Sequence, residues 1–337
     1  MIGPHDALRR ILAREDLTRD ETESLFGQLM DGELSEPMKA ALLVGLAMKG
    51  EAVSEIAGAA SAMRGRVVRI PHDLDDLVDT CGTGGDGKGT FNISTAAALV
   101  AAAAGARVAK HGNRSVSSKS GSADVLAELG VSIETVPEDA AKALGEVGIA
   151  FLFAPRLHPA MKEVMPVRRE LGVRTLFNVL GPLTNPAGAR RQVMGVYSAH
   201  LVEPIAHVQN ELGAVHALVV HGSDGLDELT TTGPSHVAEV KDGQVTTYDF
   251  DPESVGIARA TAADLAGGTP SENAAMLERL FDGAEGPIFD ITALNAGAGI
   301  YVAGLVESLG EGVEKAREVI QNGDAKRKLE GLRGFSA

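Results

Sequence analysis

The sequence contains no tryptophan, a single cysteine and only 4% aromatic residues in 337 positions. One cysteine, Cys81, cannot close an intrachain disulfide, which fits a reducing compartment such as the cytoplasm. Cys81 is either a nucleophile or a small buried loop residue, and no base beside it in the sequence supports the first. The scarcity of rings disfavours base-stacking platforms, and a formal net charge of −15 disfavours nucleic acid and anionic membranes as partners. Positions 1–8 lack the apolar core of a secretory signal. The most apolar late run, Ile291 to Val306, is cut by Asn295 and by Gly297, Gly299 and Gly304. It is too short to span a bilayer and predicts a buried helix.

The most informative absence is local. Between Gly87 and Ala123 there is no Asp or Glu, yet the stretch holds Lys88, Arg107, Lys110, His111, Arg114 and Lys119, with Ser, Thr and Gly between them. An acidic protein that keeps one segment free of carboxylates is expected to bind an anion there. Glycines and hydroxyls point to phosphate held by backbone N–H groups.

What is present suffices for a large core: 44% of residues are hydrophobic, and the length suggests two domains. Residues 5–65 read as helices only. Ser35 is an expected N-cap, Glu36 and Pro37 follow it, Leu42, Leu43 and Leu46 form an apolar stripe, and Ser54 starts the next helix. From Asp75 the pattern becomes strand–loop–helix. Short strands are predicted at Leu77-Val78, Val108-Ala109, Ile149 to Phe153, Val193 to Tyr197 and Ala217 to His221, with helices at Ser94 to Ala104, Ala123 to Leu129 and Val202 to Leu212. Val237 to Phe250 reads as a hairpin turned by Asp242-Gly243. Residues 158–186 interrupt the alternation with helical sequence, of the kind that packs back on an earlier helical region.

The expected fold is α/β: a small all-helical N-terminal domain and a larger domain with a mostly parallel central sheet. Residues 1–70, with a helical return near 160–185, would form the first; residues 71–159 and 186–337 would form the second.

Gly82-Thr83-Gly84-Gly85-Asp86-Gly87 matches G-x-G-x-x-G, a weak signal alone. A dinucleotide site needs a helix opening inside the motif and an acid some 20 residues on. Here Lys88 to Asn92 delay the helix, and the required region is the acid-free one. A Walker loop is excluded because no Gly-Lys-Ser/Thr follows. What remains is a glycine loop ending in Asn92-Ile93-Ser94-Thr95 at a helix N-terminus, with more polar residues than capping requires. A second loop, Lys110 to Asp124, follows the next strand, and two neighbouring phosphate-type loops suggest a ligand with two phosphate groups.

These stretches closely resemble the anthranilate phosphoribosyltransferase family. The likeness runs through Asp79 to Asp86, Phe91 to Thr95, Lys110 to Asp124, His158 to Met161, Val167 to Pro186 and Gly222 to Gly233, and covers nearly the whole chain. It implies a nucleoside phosphorylase/phosphoribosyltransferase-like fold, transfer of a phosphoribosyl group from phosphoribosyl pyrophosphate to anthranilate, Mg²⁺ as cofactor, and a homodimer joined through the helical domain. It further implies phosphoribosyl pyrophosphate contacts at Gly82, Gly85, Asp86, Thr90, Asn92, Ser94, Thr95, Lys110, Ser118 and Ser122. Anthranilate would meet Gly82, Asn113 and Arg168, with His111 and His158 lining its route, and the metal would meet Ser94, Asp227 and Glu228.

Asp227-Glu228 follows a buried strand; the pair is a solvated turn or, with the phosphate loops at the same sheet edge, a Mg²⁺ site of few carboxylates. Consecutive residues diverge by roughly 100° on a helix, so at most one of Arg168 and Arg169 faces a ligand. That arginine would hold a carboxylate or form a salt bridge with Glu163 or Glu170. His111 and His158 receive no assignment as general base, because an aromatic amine attacks in its neutral form. Two other functions share these features: a pyrimidine nucleoside phosphorylase, and a non-catalytic phosphosugar-binding regulator.

Overall fold

A computed structural model describes residues 2–115 and 119–335. The chain opens with four helices, α1 (Pro4–Leu12), α2 (Arg19–Met30), α3 (Glu36–Lys49) and α4 (Val53–Arg64). Ser35 does stand at the N-cap of α3, although its hydroxyl makes no capping bond. α4 starts one residue before the expected Ser54 because Glu55 does the capping. This fully buried carboxylate accepts from the N–H groups of Ala52 (2.8 Å) and Leu17 (3.0 Å) and meets Lys49 Nζ at 2.9 Å. Ser54 donates instead to the Leu17 carbonyl at 2.8 Å.

Among the described residues one sheet forms, from β1 (Leu77–Gly82), β2 (Arg107–Gly112), β3 (Ile149–Phe153), β4 (Arg191–Gly195), β5 (His216–Gly222), β6 (Ser235–Lys241) and β7 (Gln244–Phe250). The order is β3-β2-β1-β4-β5-β6-β7; the first five are parallel, and β6 and β7 run antiparallel. The β6–β7 turn falls at Asp242-Gly243 with φ of 52° and 74°, the left-handed pair a tight hairpin needs. β1 and β2 are longer than their apolar dipeptides suggested. They continue through Asp79, Thr80, Lys110 and His111, all buried, whose polarity hid the strands from a hydrophobic pattern.

The later helices are α5 (Ile93–Ala103), α6 (Ser122–Glu128), α7 (Pro137–Glu146), α8 (Ala154–Leu157), α9 (Met165–Leu171), α10 (Phe177–Leu180), α11 (Val202–Glu211), α12 (Pro270–Phe281), α13 (Pro287–Val302), α14 (Leu309–Gln321) and α15 (Asp324–Phe335). Strand periodicity divides them into layers. Val78, Val108, Ile149, Phe151, Val193, Leu218 and Val220 face a core built with α5 and α12 to α15. The alternate residues Met194, Ala217 and Val219 face α11 and the N-terminal helices, and Ala109, Ala150 and Leu152 lie with α7. α13 is buried along most of its length, as its apolar sequence predicts. No helix among the described residues is long and apolar enough to cross a membrane.

Residues 154–184 turn back onto the N-terminal helices without adding a strand. Phe177 packs on Phe26 with ring centroids 5.7 Å apart; Lys39 Nζ donates to the Glu163 carbonyl at 2.7 Å and Arg64 Nε to the Leu183 carbonyl at 2.7 Å. The chain leaves β1 toward β2 and β3 on one side, and builds β4 and β5 on the other. The order therefore reverses between β1 and β4, and a crevice opens at their C-terminal ends, where open α/β sheets bind ligands.

Candidate active site

Gly82 and Gly195 end β1 and β4 in register, at this crevice. Their missing side chains make room for the loop after β5. A methyl group on Gly82 would fall 2.3 Å from Asp227 Oδ2. That oxygen accepts the Gly84 N–H at 2.7 Å, so the acidic loop and the glycine loop are bonded directly. Burial and the charge of nearby Asp86 push the Asp227 carboxyl up. Burial and Asp227 push Glu228 up, against the pull of Lys110 and of the Ser94 N–H bonded to its carboxylate. Two adjacent acids crowded in a desolvated crevice are poorly neutralised by the protein itself.

Such a pair suits a divalent cation such as Mg²⁺. Among the described residues no three His, Cys, Asp or Glu side chains converge into a dedicated cage. Magnesium does not require one: one or two carboxylates, waters and substrate phosphates are its usual shell. Asp227 and Glu228, with the Ser94 hydroxyl, supply hard oxygen donors of the right kind.

The floor of the crevice is charged. Lys110 is buried on β2, its Nζ donating to the Thr80 carbonyl at 2.8 Å and lying 3.4 Å from Ser94 Oγ in the first turn of α5. Burial lowers its affinity for the proton, opposed by Asp79. Asp79, also buried, accepts from the His111 N–H at 3.1 Å, Asn185 Nδ2 at 2.9 Å and Gln192 Nε2 at 3.3 Å. It thereby ties β1 to β2, to β4 and to the returning segment.

At the helix terminus above this floor the first N–H groups are engaged: Ile93 donates to the Phe91 carbonyl at 2.8 Å, Thr95 to the Asn92 carbonyl at 3.2 Å, and Ser94 to the Glu228 carboxylate. Asn92 is the N-cap of α5, yet its side chain makes no capping bond. Instead Nδ2 donates to the Ser120 carbonyl at 3.2 Å and Oδ1 accepts the Ser120 hydroxyl at 3.1 Å, joining the two loops. Thr95 is buried within α5, and Thr90 pairs with Ala266. In the glycine loop, Arg174 donates to the Gly85 carbonyl while its guanidinium lies 4.2 Å from the centre of the Tyr197 ring. In the second loop Asp124 accepts from the N–H groups of Ser115 (2.9 Å) and Gly121 (3.0 Å), and Ser122 Oγ donates to the Asn113 carbonyl at 3.2 Å. Asn113 is exposed at the mouth. Ser118 lies outside the described residues.

His111 and His158 come from β2 and from the turn after α8, and meet with Nε2 atoms 3.1 Å apart. Burial holds both neutral: His111 is pulled down to about 3, with His158 as the next cause, and His158 to about 4. Because His111 also donates to the Gly181 carbonyl, its Nε2 is the acceptor, and His158 donates across the pair. His158 Nδ1 is then a buried lone pair without a partner. On α9, Arg169 is exposed whereas Arg168 is half-buried, 5.6 Å from the Phe177 ring centre. Arg168 forms no ion pair among the described residues, so neither Glu163 nor Glu170 holds it, and burial weakens its grip on its proton.

Cys81 lies on β1, not in the loop, since the strand runs through to Gly82. Its thiol donates to Asp79 Oδ2 at 3.6 Å, and burial followed by the Asp79 charge pushes it well above the usual thiol range. A protonated thiol without a base is no nucleophile.

The chain matches the model of the glycosyl transferase family helical bundle domain over residues 5–67 and that of its a/b domain over residues 74–326. An anthranilate phosphoribosyltransferase of Brevibacillus brevis is 54% identical over 327 residues, covering 97% of this chain and 96% of that protein. The chain belongs to the anthranilate phosphoribosyltransferase family. The crystal structure of anthranilate phosphoribosyltransferase from Thermus thermophilus superposes with a TM-score of 0.93 at 50% identity, covering 98% of this chain and 99% of that one. That of the Saccharomyces cerevisiae enzyme in complex with PRPP and Mg gives 0.90 at 26% identity, covering 99% and 97%. Family membership bears out the expected fold class and disfavours the phosphorylase and regulator alternatives.

Several residues of the site carry little sequence signal. Asp79 follows Asp75 and Asp76 and is not set apart by the pattern, whereas Asn295 stands out as a polar break in an apolar helix. Asn295 is buried, accepts the Leu229 N–H at 3.0 Å and donates to the Leu229 carbonyl at 2.9 Å, fixing the acidic loop from α13. Gly195 and Arg174 gave no signal, because their partners lie far away in the chain.

Proposed function

We propose that this chain transfers the 5-phosphoribosyl group of phosphoribosyl pyrophosphate to the amine of anthranilate, releasing pyrophosphate. The observation that carries the reading is the convergence, at one topological switch point, of the α5 N-terminus, two phosphate-type loops and a crowded acidic pair. The glycine loop, with the positive end of the α5 dipole behind it, suits the pyrophosphate, and the second loop suits the remaining phosphate. Gly82, Gly85, Asp86, Thr90, Asn92, Ser94, Thr95, Lys110, Ser118 and Ser122 are the proposed contacts of this substrate. Asp227, Glu228 and Ser94 would hold Mg²⁺, which, when bound, stabilises charge on the departing pyrophosphate.

The acceptor falls to the other wall. Arg168, unpaired and half-buried, is the group for the anthranilate carboxylate, and its planar fork matches a carboxylate in two bonds. His158 Nδ1 offers a lone pair to an N–H donor such as the arylamine, while Asn113, Gly82 and His111 complete the pocket. No strong base is needed: substitution at the sugar C1 develops an oxocarbenium-like centre, and holding two reactants in line supplies roughly 7–11 kcal/mol in good cases.

Residues 1–70 with 160–185 are the proposed helical domain, supported by the packing of Phe177 on Phe26 and the bond from Lys39 to the Glu163 carbonyl. A homodimer through that domain is supported by Leu12 and Met48, 71% and 75% exposed on α1 and α3. Cytoplasmic residence suits the lone cysteine. The experiment is the loss of anthranilate fluorescence when phosphoribosyl pyrophosphate and Mg²⁺ are added; a stable signal with pure protein rejects the reading.

A further inference from the structure

Residues 265–273, which lead into the first turn of α12, carry none of the motifs above, yet they back the phosphate loop. The Phe91 N–H donates to the Leu265 carbonyl at 3.0 Å, Thr90 pairs with Ala266, and the Gly267 N–H donates to the Gly89 carbonyl at 2.9 Å. Asn273 closes this strap. It is 1% exposed; its Oδ1 accepts the Gly268 N–H at 2.7 Å and its Nδ2 donates to Asn92 Oδ1 at 2.8 Å. α12, which carries it, packs on α6, the helix that ends the second loop.

A primary amide has two N–H donors and two acceptor lone pairs. At Asn92, Oδ1 is saturated by Ser120 and Asn273, and one N–H of Nδ2 is used by the Ser120 carbonyl. Among the described residues the second N–H has no acceptor. With Asn273 in place, Asn92 can only donate to a ligand, and its amide cannot flip without setting Nδ2 against the Asn273 donor. We propose that Asn273 is a positioning residue for the phosphosugar: it locks the Asn92 amide with its N–H toward the anion. The proposal rests on the function inferred above. It names how an amide buried on a C-terminal helix makes the loop selective for an acceptor-only, negatively charged group.

The test uses the full chain with Mg²⁺ and phosphoribosyl pyrophosphate, without anthranilate, in a titration calorimeter. Asn273→Asp keeps the acceptor for the Gly268 N–H but turns a carboxylate oxygen on Asn92 Oδ1, which favours the flipped amide. Affinity should fall at least about ten-fold, while the anthranilate KM stays within about two-fold of wild type. In an Asn92→Ala background, Asn273→Asp should add little further loss, because the pathway through Asn92 is gone. Equal affinities for wild type and Asn273→Asp, or fully additive losses in the double variant, overturn the proposal. Wild-type protein that binds no phosphoribosyl pyrophosphate overturns the functional reading as well. Should Asn273→Asp fold poorly, Asn273→Ala removes the lock without adding charge, and the same non-additivity with Asn92→Ala is required.

Discussion

The main-chain carbonyl of Asp227 rests on Gly195: a methyl group there would lie 1.5 Å from the Asp227 oxygen and 2.3 Å from its carbonyl carbon. β4 ends in glycine because another segment's backbone occupies the space of its side chain. The acidic loop is seated by this contact, by the Asp227 bond to the Gly84 N–H and by the Asn295 bonds to Leu229.

Gly195→Ala should therefore displace the loop rather than a rotatable group. The expected loss is about 3 kcal/mol of stability, read as a lower unfolding midpoint, together with loss of turnover. Gly82→Ala meets mainly the Asp227 carboxylate end, which can rotate. It should fold with a near-native midpoint but lose Mg²⁺-dependent turnover. Identical behaviour of the two variants contradicts this distinction between backbone and side chain.

Glu228→Gln should separate stability from activity. The carboxyl of Glu228 is raised by burial and by Asp227. The folded form thus holds a proton that the unfolded form releases near pH 4–5, and this contribution to stability is lost as pH rises through the folded value. A neutral amide removes that loss. The variant should gain roughly 2–4 °C in unfolding midpoint, more at pH 9 than at pH 6, while turnover falls at least about ten-fold. A midpoint lowered at both pH values counts against a strained, proton-holding acid.

Arg168→Ala should raise the KM for anthranilate about ten-fold or more, leaving that for phosphoribosyl pyrophosphate within about two-fold. Since Arg168 pairs with no carboxylate among the described residues, little stability should be lost. Equal increases in both KM values would reject a specific carboxylate contact. Arg169→Ala, at an exposed position, is the control.

The histidine pair predicts an acid limb in stability. His111 and His158 are held neutral, at about 3 and about 4, whereas unfolded histidines titrate near 6.5. Their contribution is complete above pH 6.5 and is lost as pH falls toward the folded values, at up to about 1.4 kcal/mol per pH unit for each ring. Denaturant melts between pH 6.5 and 4 should show this slope, and His111→Asn with His158→Asn should flatten it. An unaltered slope in the double variant means that other groups are responsible.

Much of the architecture was legible because its causes are local. Helices α1 to α4 announce themselves by apolar spacing, the β6–β7 turn by Asp242-Gly243, and the two loops by glycines and hydroxyls without carboxylates. Where polar residues sit inside strands, as at Asp79 and Lys110, the apolar pattern underestimates the strand. The phosphate loops were legible as candidates, but their mutual bond through Asn92 and Ser120, 28 residues apart, was not.

The sequence by itself determined which segments fold as helix or strand and which loops are built for an anion, since neighbouring residues dictate backbone conformation and charge. Only the tertiary structure decided that Gly195 must leave room for the Asp227 backbone, and which polar groups share a partner: His111 with His158, Asn92 with Asn273. Those pairings are set by burial, which forces each desolvated donor and acceptor to find its complement wherever the packed chain supplies one.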